Sequence, residues 1–133
     1  MKKALVLLLI LVLGCTFASI SGCDNSEEKD MTYTQITAAE AKALMDSEED
    51  FIILDVRTDA EYAEGHIADA VLIPHEEITA KAEEVLLDKD QLILVYCRSG
   101  RCSKIAAEAL VALGYTNVKE FGGIIDWPYE VVQ

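Results

Sequence analysis

Two segments of this chain, FIILDV at 51–56 and QLILVYC at 91–97, are nearly unbroken apolar runs. A strand with one face in water alternates apolar with polar side chains, whereas a short run that does not alternate suits a strand covered on both faces. Around these runs the pattern changes. TAAEAKALMD opens with Thr37 and Glu40 in capping-box spacing, which predicts a helix start. HEEITAKAEEVLLD reads as a helix, and SKIAAEALVALGY carries Ile105, Ala109 and Ala112 on one face with Leu110 and Leu113 nearby. Gly114 sits where that helix would end. YTQI is a short strand candidate, AVLIP at 70–74 is a second short apolar run, and NVKEF closes the series. Strands alternating with helices predict an α/β fold with a largely parallel sheet, whose ligands bind beyond the carboxyl ends of the strands.

The 133 residues predict one folded domain, since 52% are hydrophobic and only two are proline. The first segment stands apart from it. Lys2 and Lys3 precede nineteen uncharged residues, Ala4 to Gly22, and an abrupt polar junction follows, as in a signal peptide over 1–22. ISGC at 20–23 resembles the lipobox of bacterial lipoproteins, which implies cleavage before Cys23 and lipid on its thiol. VLGC at 12–15 fits less well, because Leu13 occupies a small-residue position and the apolar region is shorter. An ordinary cleaved signal and an uncleaved anchor are the alternatives. All three place the remainder outside the cytoplasm if the lysines stay inside. Asp24 after the cysteine would imply, in enteric-type bacteria, retention at the inner membrane. Residues 23–32 then form a polar tether and 33–133 the domain.

The chain carries −13, from 11 basic and 24 acidic residues; without Lys2 and Lys3 nine basic residues remain against the same 24, giving −15. Such a surface is a poor match for nucleic acid or anionic lipid. Membrane attachment therefore falls to lipid on Cys23 and not to charge.

CRSGRCS at 97–103 lies between a core strand and a helix, at a ligand-binding edge of the sheet. A cysteine there faces the unpaired amides of the first helical turn and the positive end of its dipole. Arg98, Arg101 and Lys104 act in the same sense, and cysteines so placed have lowered pKa values and become nucleophiles. Gly100 permits a tight curve with inward N–H groups, a nest for an anion. The plainer alternatives are an inert strand-end thiol and two solvated arginines. Asp55 and Arg57 begin the turn after a buried strand, as a pair bracing that turn or with Arg57 as a further cation in the pocket. His66 reads as a structural hydrogen-bonding histidine before a pH switch, and Trp127 as core or cap packing. The two histidines and the cysteines have no zinc-ligand spacing.

Taken together, these segments resemble the rhodaneses. DVRTDAEYAEGHIADAVLIP at 55–74 is similar to the family's D-x-R, E-[FY]-x-x-G-H-I and I-P segment; CRSGRCS to its active-site loop; and GYTNVKEFGGIIDW to its closing strand, double-glycine turn and tryptophan. The resemblance implies a rhodanese-like, largely parallel five-stranded sheet flanked by helices on both faces. It also implies a sulfurtransferase whose Cys97 takes the outer sulfur of thiosulfate or a similar small anion as a persulfide. The sulfur then passes to cyanide, another thiol or a protein acceptor, with no metal or organic cofactor. Arg98, Ser99, Gly100, Arg101, Cys102, Ser103 and Arg57 are the expected substrate-binding residues, with Asp55 and His66 as structural neighbours.

Three departures stand out: Cys102 at the last loop position, Asp69 where glycine is usual, and Leu72-Ile73 where asparagine is common before the proline. Cys102 is open to three readings: a passive small residue, a resolving thiol that attacks the persulfide, or half of a redox switch. A rhodanese-related phosphatase or arsenate reductase needs C-x-x-x-x-x-R, and here that terminal position is Ser103. The remaining rival is a docking or redox-sensing module that uses Cys97 and Cys102 as a thiol pair with a protein partner.

Overall fold

The run QLILVYC becomes the central strand of the domain because it buries side chains on both faces. In the computed structural model, which describes residues 32–133, strand β4 (Leu92–Cys97) is buried at every position. Its side chains divide by parity. Ile93, Val95 and Cys97 join one core, and Leu92, Leu94 and Tyr96 join another. The expectations for 1–31, including the signal peptide, Cys23 and almost all of the tether, lie outside the described residues.

Four further strands complete the sheet: β1 (Thr34–Gln35), β2 (Phe51–Asp55), β3 (Val71–Leu72) and β5 (Val118–Gly123). The order is β1-β5-β4-β2-β3, and every pairing is parallel. Helices α3 (Ile78–Val85) and α4 (Arg101–Ala112) cover the face that receives Cys97, contributing Ala82, Ala106 and Leu110 to its core. Helix α1 (Ala38–Ser47) contributes Ala41 to the other core, and Tyr62 of α2 (Asp59–Glu64) packs against it. Among the described residues no helix is long and apolar enough to cross a membrane.

Local chemistry explains several boundaries. The capping box expected at Thr37 and Glu40 is formed in both directions, at 2.8 and 3.1 Å. A second one, Thr58 with Glu61, starts the six-residue α2; the T-x-x-E spacing that signals it is present in the sequence. The single helix expected over HEEITAKAEEVLLD is instead a 3-10 turn, His75–Glu77, followed by α3. Pro74 precedes the turn, and Glu77 at φ −103°, ψ 0° separates it from the α-helix.

Helix α4 also differs from expectation. Ser103, Ala106, Ala107, Leu110 and Val111 face the sheet, while Ile105 is 47% exposed. Both stripes have helical period. The one with paired alanines wins because small residues let the helix lie close against β4 and β5.

At the end of β5 the pairing with β4 slips by one residue: Val95 pairs with Glu120, but Cys97 pairs with Gly123. The additional residue lies in β5, where Gly122 has φ +92°. Bulges of this kind re-aim a strand end, and this one brings Gly123 beside the cysteine loop.

Candidate active site

Cys97 is the last residue of β4 and is 3% exposed. The chain then turns back over it, because Gly100 adopts φ +102° as the N-cap of α4, a conformation that disfavours other residues. That turn aims the Gly100 N–H at the Cys97 Sγ, 2.9 Å away. Loop and strand are in close contact. A β-carbon on Gly123 would stand 2.1 Å from the Arg98 carbonyl oxygen, and that carbonyl accepts from the Ile125 N–H at 3.2 Å.

Above the sulfur opens a cavity of about 290 Å³. Its floor and one wall are Cys97, Arg98, Ser99, Arg101 and Cys102; Val56, Arg57, Thr58 and Glu61 form another wall, and Pro74, His75 and Glu76 the third. Arg98, Ser99 and Arg101 are exposed at the rim, while Cys102 is half-buried. Two cationic side chains with no ion-pair partner among the described residues thus stand at the mouth of a cleft whose floor is a nearly buried sulfur. Lys104, expected to help them, is exposed and does not line the cavity.

The remaining expected residues divide by position. Gly100 is buried and serves through its backbone. Ser103, expected to face substrate, is fully buried beneath the sulfur and lines no part of the cavity. It accepts from the Cys97 thiol at 3.3 Å and donates to Glu120 on β5. Arg57 lines the cavity, yet its Nε and Nη2 are held by Asp55, and Nη2 also donates to the Gly65 carbonyl at 2.7 Å. Asp55 is wholly buried and accepts from the Tyr96 hydroxyl at 2.6 Å. Burial foremost, then Asp55, raises the Tyr96 phenol far above its usual range. Asp55, Arg57 and Tyr96 therefore form the brace under the β2 turn.

His66 places Nδ1 2.9 Å from the Tyr62 carbonyl and stacks on the Tyr62 ring at 3.7 Å, and Trp127 packs on Phe121 and Tyr129.

Among the described residues Cys97 and Cys102 form no disulfide. Burial first, and Cys97 second, push the Cys102 thiol up, and Arg101 only partly opposes them. Among the described residues no cluster of His, Cys, Asp and Glu is arranged to hold a metal ion. Sequence reasoning missed the cavity residues Thr58, Glu61, His75 and Glu76, and it missed Glu120. The Thr58–Glu61 capping box was a usable signal. Glu120 had none, since its position under the loop depends on the pairing of β5 with β4.

Comparison with known proteins agrees with this geometry. Residues 37–128 match the rhodanese-like domain family. A sulfurtransferase of Allochromatium vinosum is 41% identical over 80 residues, covering 59% of this chain and 73% of its own length. The thiosulfate sulfurtransferase PspE of Escherichia coli is 37% identical over 73 residues, covering 55% and 70%. Among solved structures, a rhodanese-related protein from Thermoplasma volcanium superposes with a TM-score of 0.65 at 34% identity, covering 75% of this chain and 98% of that one. The family match spans well over half of the chain, and the fold neighbours share its parallel sheet: this chain belongs to the rhodanese-like domain family.

Proposed function

We propose that this protein is a sulfurtransferase that carries a sulfane sulfur on Cys97, taken from thiosulfate or a chemically similar anion. The observation that carries the reading is the placement of Cys97 Sγ. It lies at the floor of a cleft, 2.9 Å from the Gly100 N–H, with Arg98 and Arg101 at the rim. The ionised sulfur attacks the outer sulfur of the donor, the S–S bond of thiosulfate breaks, and sulfite leaves with that bond's electron pair. The enzyme keeps a Cys97 persulfide bearing one negative charge. The two guanidinium groups suit the sulfonate end of the donor, and the amide at the sulfur favours charge there in the manner of an oxyanion site. An acceptor thiolate or cyanide then attacks the outer persulfide sulfur and releases the Cys97 thiolate.

The proposal extends to location: an exported protein held at a bacterial membrane by lipid on Cys23. The support is the sequence ISGC behind a basic and apolar leader. A Cys23→Ser chain is expected in the soluble fraction or retained as uncleaved precursor, and its persistence at the membrane after leader cleavage would reject the lipid.

The deciding experiment is incubation of the reduced full-length chain, in mild detergent, with thiosulfate, followed by mass spectrometry of the Cys97 peptide. Gain of one sulfur atom, lost in Cys97→Ser, is the expected result. No gain in fully reduced protein rejects sulfur transfer from thiosulfate and favours a redox or docking module built on Cys97 and Cys102.

A further inference from the structure

Among the described residues four charged or polar ones are buried: Asp55, Arg57, Ser103 and Glu120. The first two neutralise each other. Glu120 is 2% exposed and, among the described residues, has no cationic side chain within ion-pair distance. Its Oε1 accepts from the Gly122 N–H at 2.8 Å and from the Ser103 hydroxyl at 2.5 Å.

The hydrogen bonds of Ser103 have a direction. A hydroxyl has one proton and two lone pairs. Ser103 gives its proton to Glu120, so a lone pair is left for the Cys97 thiol, 3.3 Å away on the other side. Thiol, hydroxyl and carboxylate thus form one chain, each member donating to the next, from the sulfur to a buried acceptor. In that arrangement an ionised sulfur would face an oxygen lone pair while a second anion lay buried behind it. Both conflicts vanish if one proton moves along the chain.

We propose that Glu120 receives the proton of Cys97 through the Ser103 hydroxyl, so that the sulfur becomes nucleophilic by passing its proton inward. The S–H bond breaks and its proton joins Ser103 Oγ. The original Ser103 proton passes to Glu120 Oε1. No net charge enters the interior; one negative charge moves from the carboxylate to the sulfur, where the Gly100 N–H meets it. The hydrogen bonds then reverse, with Glu120 donating to Ser103 and Ser103 to the sulfur. When an acceptor removes the outer sulfur, the same path returns the proton to the Cys97 thiolate. Glu120 does not touch the sulfur; its part is to position Ser103 and hold the proton.

The charged and titratable groups around this chain are few. Arg98, Arg101 and Cys102 flank the sulfur in the cavity. On the carboxylate side lies the phenol of Tyr33, before β1, which burial and then Glu108 and Glu120 shift upward. None of these supplies a cation to Glu120.

The inference rests on Cys97 being the nucleophile, and its test avoids any sulfur donor. The rate of Cys97 alkylation by iodoacetamide is followed by site-resolved mass spectrometry in the full-length chain, across about pH 5 to 10, a span that includes the ordinary thiol range. Two groups sharing a proton ionise in coupled steps. The wild-type rate is therefore expected to rise in two stages separated by a plateau, and the Glu120→Gln rate in one stage, since an amide accepts from Ser103 but takes no proton. At neutral pH, Ser103→Ala should slow alkylation about tenfold or more, in the lower range of proton-transfer effects, and Ser103→Thr should restore most of it. A Glu120→Gln profile of the same form as wild type, displaced or not, overturns the relay, because displacement alone reports only the lost charge. If near-ultraviolet circular dichroism finds Glu120→Gln unfolded, the Ser103 pair decides: equal rates in Ala and Thr overturn it. A two-stage profile without persulfide formation would sink only the sulfurtransferase reading, and persulfide formation with matching profiles would sink only the relay.

Discussion

A β-carbon placed on Gly123 would meet the Arg98 carbonyl oxygen and the Ser99 Cα, at 2.1 and 2.5 Å. Both are backbone atoms that cannot rotate away, so Gly123→Ala must displace the cysteine loop. We expect a loss of about 1–3 kcal/mol, the usual range for overpacking, and at least a tenfold fall in persulfide formation, read by denaturant melts and mass spectrometry. Asp69 makes the opposite case. It is the only non-glycine residue of the described chain with positive φ, +67°, which explains why glycine is usual there in the family it resembles. Asp69→Gly should raise stability by roughly 0.5–1 kcal/mol, the left-handed penalty less the added chain entropy of glycine. Cys102 supplies a pH prediction. Burial holds its thiol above the ordinary value, so in Cys97→Ser its alkylation should reach half-maximum at a higher pH than that of a free cysteine.

Two helices begin with the same Thr-x-x-Glu device but differ in what they hold. Thr37 starts α1 far from the cleft, whereas Thr58 and Glu61 start α2 and also line the cavity. Replacing either threonine by alanine should cost about 1 kcal/mol, as for helix caps in general. Only Thr58→Ala should also slow sulfur transfer, and steady-state kinetics of the two variants would separate these effects. The Glu40 carboxyl is held below the usual range by the Thr37 N–H and then by its hydroxyl, against a smaller opposing effect of burial. A depressed carboxyl stabilises the fold above its unfolded pKa and loses that contribution as pH falls through the folded one. Glu40→Gln should therefore flatten the acid limb of the melting temperature, with the difference from wild type greatest at neutral pH.

At the scale of the molecule, charge and site oppose each other. The chain carries −13 overall, yet two exposed arginines stand at the mouth of the cleft. Surface charges repel an anionic donor from a distance, while the arginines act within a Debye length of about 8 Å at physiological salt. Turnover with thiosulfate should consequently rise modestly as salt is first added; a steep fall from the lowest concentrations would contradict this balance.

Much of the fold was legible because the parallel α/β pattern is written locally. FIILDV and QLILVYC suit strands covered on both faces at that length, and Thr37-x-x-Glu40 starts its helix from neighbouring residues alone. The grouping of Cys97, Arg98, Gly100 and Arg101 between β4 and α4 was legible too, since it follows from their adjacency in the sequence. What only the tertiary structure decided depends on distant segments meeting. The buried stripe of α4 was chosen by the sheet beneath it, and Arg57 was tied to Asp55 and to the turn at Gly65. Ser103 was turned away from the cavity, and a one-residue slip between β4 and β5 placed Glu120 beneath it. Hydrophobic period reports which elements form; the partner that a buried polar atom finds across a sheet is set by register, which no local pattern contains.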